Sequence, residues 1–209
     1  MAGEDGGLYT AQERALVARL EADLKAQLAP KPCRLAHSLS VARTAEDLAL
    51  TYGVDPLWAR AAGILHDWDK VVAEDELVVR ARRLGVEMGV DLDLVRPLLH
   101  GIVAARELPA RYPELPDEVW HAIAVHTTAA PEMSPLDEVL FVADGIEPLR
   151  PPAPGIEKTR ALVGAAPLDD VFWSSFVGGI VYVLEEGRYL YPGSIDIYNA
   201  LAAGRARTR

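Results

Sequence analysis

His37, His66, Asp67, His100, His126 and Asp144 are the residues through which this chain could do chemistry. Four of its five histidines fall in that series, each beside small or apolar neighbours. The pair His66-Asp67 ends the apolar run Trp58-Ala-Arg-Ala-Ala-Gly-Ile-Leu-His-Asp. Such neighbours carry a side chain inward, and burying several imidazoles and carboxylates without partners is costly. A shared cation satisfies them together, because neutral imidazole nitrogen and carboxylate oxygen are ordinary ligands for first-row divalent metals. Arg34 stands one helical turn before His37 and Lys70 one turn after the His66-Asp67 pair, which sets two cations beside the ion. A metal that polarises a phosphoryl oxygen and lowers the pKa of water, flanked by cations that neutralise phosphate, suits hydrolysis of a phosphate ester or anhydride. Any one histidine alone is more often a satisfied core or surface residue; the ordered series reverses that reading. His121 lies five residues before His126, about 140 degrees round the same helix, and is given no role.

The positioning elements read as helices. Thr10-Ala-Gln-Glu13 is a capping box before Leu16, Leu20, Leu24 and Leu28, and Pro30 and Pro32 stop that helix. A second helix carries Leu35, His37, Val41, Ala45 and Leu48 and closes at Tyr52-Gly53. Asp55-Pro56 caps a third that runs through the His66-Asp67 pair. Further helices are expected at 74–83, at 93–108 with His100, and from Pro116 to His126. Ser134-Pro135-Leu-Asp137 opens one that reaches Asp144, and two more are expected at 168–186 and 195–203. The proline-rich stretch 148–154 is the one strong break and is expected to form a loop over the site. Little alternates with a strand-like period, so the fold class is all-α, a helical bundle with a single domain. The expected boundaries are an N-terminal helix packed on the domain at 1–29, the domain proper at 30–204 and a tail at 205–209.

With 209 residues, half of them apolar, the chain can bury a sizeable core. Its net charge of −10 argues against a nucleic-acid or anionic-membrane surface but permits a local basic pocket. Cys33 is alone, so no internal disulfide framework exists, and nothing near it but Arg34 would activate the thiol. The N-terminus lacks the basic and apolar regions of a signal peptide, and no run approaches a bilayer span. The expected location is cytoplasmic.

The order His, His-Asp, His, His, Asp resembles the HD-domain phosphohydrolase superfamily. Its flanking words resemble the YqeK-type bis(5'-nucleosyl)-tetraphosphatases (symmetrical): Arg34-Leu-Ala-His37, Ala62-Gly-Ile-Leu-His-Asp67 with Lys70, Leu99-His-Gly101, His126-Thr-Thr128, Phe141-Val-Ala-Asp-Gly-Ile-Glu-Pro148 with Arg150, and Tyr198-Asn199. The resemblance covers about residues 30 to 200. It implies an HD-domain helical bundle that hydrolyses symmetrical dinucleoside tetraphosphates, typically diadenosine tetraphosphate, to two nucleoside diphosphates. It also implies His37, His66, Asp67 and Asp144 as primary metal ligands, with His100 and His126 completing a second site or touching substrate. Asp67, His100 and His126 are the catalytic candidates, the two histidines as proton donors. Arg34, Lys70 and Arg150 are the phosphate-binding cations, and Gly145, Ile146 and Glu147 with Tyr189 and Tyr191 make a nucleotide-binding wall, although the two tyrosines, like Trp68 and Trp120, also read as packing residues. One or two divalent transition metals are implied, iron first, with manganese, cobalt or zinc as substitutes. The partner is a small nucleotide, and the resemblance leaves room for a homodimer.

Three departures from the family pattern stand out. Asp69 replaces a small neutral residue and, about 200 degrees round a helix from Asp67, would face solvent; Ala129 and Leu149 stand where glycine is common. Competing readings are a phosphatase or phosphodiesterase of the same superfamily acting on nucleoside monophosphates or cyclic nucleotides, a non-catalytic nucleotide-binding regulator, and a structural helical partner domain.

Overall fold

The Thr10 hydroxyl accepts the Glu13 N–H at 3.2 Å while the Glu13 carboxylate accepts the Thr10 N–H at 2.7 Å, and this capping box opens α1 (Ala11–Gln27). Leu20, Leu24 and Leu28 have no exposed surface. Burying a leucine contributes about 1.5–3 kcal/mol, so these three alone hold α1 firmly against α3. The chain then runs through α2 (Pro32–Tyr52) and α3 (Pro56–Leu65). Gly53, at φ 72°, ends α2 in the left-handed conformation glycine tolerates, and the Asp55 carboxylate caps α3 through the Leu57 and Trp58 N–H groups.

This computed structural model describes residues 7–207, and among them there is no β-strand. After α3 come a 3-10 turn (Trp68–Val71), α4 (Glu74–Arg83), two more 3-10 turns (Leu92–Leu94 and Arg96–Leu98) and α5 (Leu99–Glu107). A last 3-10 turn (Leu108–Ala110) leads to α6 (Asp117–Val125), α7 (Pro135–Ile146), α8 (Pro154–Leu162), α9 (Leu168–Glu185) and α10 (Pro192–Arg207). The expected all-α class is the observed one. No helix among the described residues is long and apolar enough to cross a membrane. Residues 1–6, on which the signal-peptide reading rests, lie outside the described residues, as do 208–209; residues 205–207 of the expected tail continue α10.

Besides α10, which extends beyond the expected 195–203 at both ends, three boundaries differ from expectation. The helix expected at 93–108 begins only at Leu99, because Pro97 has no N–H to donate and the preceding residues close two 3-10 turns instead. The 148–154 break is followed by α8, with Pro154 in its first turn, where a missing N–H costs nothing. The third helix stops at Leu65, so His66 is its C-cap and Asp67 opens the 3-10 turn that carries Lys70.

Two close approaches bring the site-bearing helices together. A Cβ on Gly63 would lie 2.5 Å from Ala42 Cα, so α3 and α2 touch backbone to backbone. A Cβ on Gly101 would lie 2.5 Å from Ile123 O and 2.6 Å from the His126 ring, so α5 presses against the end of α6. The main core gathers α1, α2, α3, α6, α7 and α9, and a second cluster, with Leu77, Val95, Leu99 and Val103, fills the space between α4 and α5.

Candidate metal centre

All six residues of the His/Asp series converge. His66 and His126 stand at the C-caps of α3 and α6, His100 lies in the first turn of α5, His37 within α2, and Asp144 near the end of α7. Three overlapping sets have ligand atoms within 4.8 Å of one another: His37/His66/Asp67, His66/His126/Asp144 and Asp67/His100/His126. Asp67 is 2% exposed and joins the first and third sets. Its Oδ2 lies 3.8 Å from His37 Nε2 and accepts from Arg34 Nη1 at 3.1 Å; its Oδ1 lies 3.7 Å from His66 Nε2 and 3.0 Å from His100 Nε2. Asp144 Oδ1 lies 3.1 Å from His37 Nε2 and 4.0 Å from His66 Nε2.

The outer nitrogens fix the tautomers. His66 Nδ1 sits 2.7 Å from Gly63 O, His100 Nδ1 3.0 Å from Pro97 O, and His126 Nδ1 2.7 Å from Ile123 O. A carbonyl only accepts, so each Nδ1 carries the hydrogen and each neutral ring turns a bare Nε2 lone pair inward. His100 Nε2 and His126 Nε2 then face each other at 3.1 Å. Two lone pairs at that distance repel unless a cation or a proton lies between them. Burial, with His100 and His66 adding to it, pushes His126 down to about 3, and burial lowers His100 as well, so protonation is disfavoured. His37 Nε2 and His66 Nε2 are buried with no hydrogen-bond partner. Imidazole and carboxylate donors with orphaned lone pairs fit a divalent transition metal.

The carboxylates are tuned the same way. Burial would raise Asp67, but positive charge around it, from His66 and His100 when protonated and from Lys70, outweighs burial and holds its pKa well below the usual carboxylate range. Asp144 is likewise opposed by burial and held far down by His37, Arg150 and His66. Burial lowers Lys70, partly offset by Asp67. Lys31, outside every motif of the His/Asp series, donates from Nζ to Lys70 O at 2.5 Å. Arg34 is half exposed, so its remaining donors stay open; Arg150 donates to Asp144 O at 2.9 Å and Oδ1 at 2.5 Å.

The residues expected to form a nucleotide-binding wall have different immediate surroundings. Gly145 faces α9, where a Cβ would lie 2.8 Å from Ser175 Oγ, and Ile146 belongs to the main core. Glu147 is 1% exposed: one carboxylate oxygen lies 3.0 Å from His37 Nδ1 and the other accepts the Leu149 N–H at 2.7 Å. Tyr189 is exposed, while Tyr191 donates to Met88 O and packs on the second cluster. Trp68 and Trp120 are core residues, and Cys33 is exposed. His121 turns away from the cluster, its ring 3.0 Å from the Asp137 carboxylate.

Two departures acquire a physical reason. Asp69 does not face solvent. It is 1% exposed and takes two hydrogen bonds of 3.2 Å from Arg80, because the chain leaves the helix at Leu65 and the 3-10 turn rotates the side chain toward α4. Burial and Glu107 raise its pKa to about 6 against the pull of Arg80. Ala129 adopts φ 60°, the left-handed region where glycine carries no penalty. Leu149 is simply exposed.

Comparison with known proteins places this geometry. A family model described as HD domain matches residues 34–149. The symmetrical bis(5'-nucleosyl)-tetraphosphatase of Halalkalibacterium halodurans is 34% identical over 168 residues, covering 80% of this chain and 88% of that protein. The protein of the same name from Staphylococcus aureus is 32% identical, with 79% and 85% covered. A crystal structure from Clostridium acetobutylicum, described as a predicted HD superfamily hydrolase involved in NAD metabolism, superposes with a TM-score of 0.78 at 30% identity, covering 89% of this chain and 96% of that one.

Proposed function

This chain belongs to the HD-domain family, and we propose that it is a metal-dependent hydrolase splitting symmetrical dinucleoside tetraphosphates, typically diadenosine tetraphosphate, into two nucleoside diphosphates. The observation that carries the reading is the inward set of Nε2 lone pairs around Asp67. The relatives' names supply the substrate.

His37, His66, Asp67 and Asp144 would hold one ion, and Asp67 with His100 and His126 a second. Iron is the favoured metal, with manganese, cobalt or zinc as substitutes, since imidazole-rich ligation disfavours magnesium. When bound, such an ion polarises phosphoryl oxygen and lowers the pKa of water. Arg34 and Lys70 stand beside Asp67 to neutralise phosphate charge, with Arg150 on the Asp144 side. The depressed pKa values of His100 and His126 argue for ligands over proton donors. The departing nucleoside diphosphate is already a good leaving group and needs little acid help. The protein acts on a small nucleotide in the cytoplasm, as a monomer or homodimer.

Product analysis tests the reading. Anaerobically purified protein given diadenosine tetraphosphate should release ADP as sole product, two per substrate, without inorganic phosphate; phosphate release from a nucleoside monophosphate, with the tetraphosphate untouched, would replace it with the phosphatase reading. His121→Ala should turn over near the wild-type rate.

A further inference from the structure

His37 is held unlike the other three histidines. It lies inside α2, where the carbonyl one turn back is engaged in the helix ladder, so its Nδ1 needs a partner from elsewhere. That partner is the buried carboxylate of Glu147, 110 residues away, at the point where the chain leaves α7. The α7 end is in turn clamped from α8. Arg160 donates from Nε to Ile146 O at 2.9 Å, a carbonyl the helix terminus leaves open, and from Nη2 to Glu147 O at 2.8 Å, which also accepts the Arg150 N–H at 3.0 Å. Its third donor, Nη1, holds Glu157 at 2.7 Å, which fixes the guanidinium on its own helix.

We propose that Glu147 and Arg160 are positioning residues for His37. Glu147 orients the ring and raises its basicity as a ligand, and Arg160 holds the backbone that aims Glu147. Helix α8 lies beyond the matched segment 34–149, yet it thereby completes the metal-binding geometry. This rests on the metal-centre reading above and not on the identity of the substrate.

The test is Co2+ titrated into chelator-stripped full-length protein without nucleotide, followed by visible absorption against a competing chelator. Glu147→Gln and Arg160→Leu should each weaken Co2+ binding by about tenfold or more. The double variant should bind no more weakly than Glu147→Gln alone, because both act on one ring, and Arg160→Lys should recover part of the loss. A purely structural Arg160 would lower the melting temperature and leave Co2+ affinity at the wild-type value, which overturns the proposal; so would losses that multiply in the double variant. If Arg160→Leu does not fold by circular dichroism, Arg160→Gln carries the test, and wild-type affinity there also overturns it. Absence of Co2+ binding by the wild type would sink the metal centre itself, whereas turnover of some other phosphate compound would sink only the substrate assignment.

Discussion

Three of the inward histidines are aimed by carbonyls three residues earlier in their own chain segments, and the fourth is aimed by a carboxylate 110 residues away. The local half, His66, His100 and His126, is oriented as soon as its helix ends form. The remote half needs α2, α7 and α8 docked before His37 is fixed. Short-range ties are the more robust to sequence change, and the long-range tie is where this site can be loosened without removing a ligand.

Removing what both halves share should have the largest effect. Asp67 faces His37 with one oxygen and His66 and His100 with the other, so Asp67→Ala should cut turnover by about a thousandfold or more. Folded protein with near-wild-type activity in that variant would show that the halves do not meet at Asp67. Next comes Gly101→Ala, which attacks the local half without replacing a ligand. Its Cβ would collide with Ile123 O and the His126 ring, and overpacking of this kind costs about 1–3 kcal/mol. Chemical denaturation should register that loss, along with weaker metal binding; unchanged values would mean that the α5–α6 approach can relax freely.

Ala129→Gly should move stability the other way. The left-handed backbone at φ 60° penalises alanine by about 1–2 kcal/mol, offset in part by the greater freedom glycine loses on folding. A net gain of about 1 kcal/mol or less is expected, and a loss would show that the alanine methyl, buried in the core, contributes more than the backbone strain takes away. The smallest effect lies at the far end of α7 from Asp144. Burial, with Asp169 and Asp137 close by, raises Glu138 from an ordinary 4.5 to about 7. The folded state then holds that proton more tightly than the unfolded chain, so this group's contribution falls as pH rises between about 4.5 and 7. Glu138→Gln should therefore melt higher than the wild type at pH 8, with the gap closing by pH 5; a gap independent of pH would refute the assignment.

The local half was legible in the sequence because local physics makes it. The capping boxes at Thr10 and Ser134, the N-cap Asp55 and the glycine after α2 all form as their residue types dictate. The His/Asp series could be read as a set for the same reason: each of its four histidines falls on a separate expected helix beside small or apolar residues. What was not legible was set by partners distant in sequence. Asp69 reads as solvent-facing until Arg80, on α4, claims it. Glu147 reads as substrate wall until His37 is seen behind it. Helix α8 hides in a proline-rich stretch because its first-turn proline looks like a breaker when nothing shows what its Arg160 will hold. Ala129 is the intermediate case: the departure from glycine was visible, and the positive φ that gives it meaning was not.

The most direct test of the whole account is the number of divalent transition ions bound per chain by protein stripped with chelator and then titrated anaerobically with Fe2+. One or two ions per wild-type chain, with binding weakened by both His37→Ala and His126→Ala, is the predicted result. No binding, or binding indifferent to both substitutions, would contradict the claim that the two halves of the site face a common metal centre.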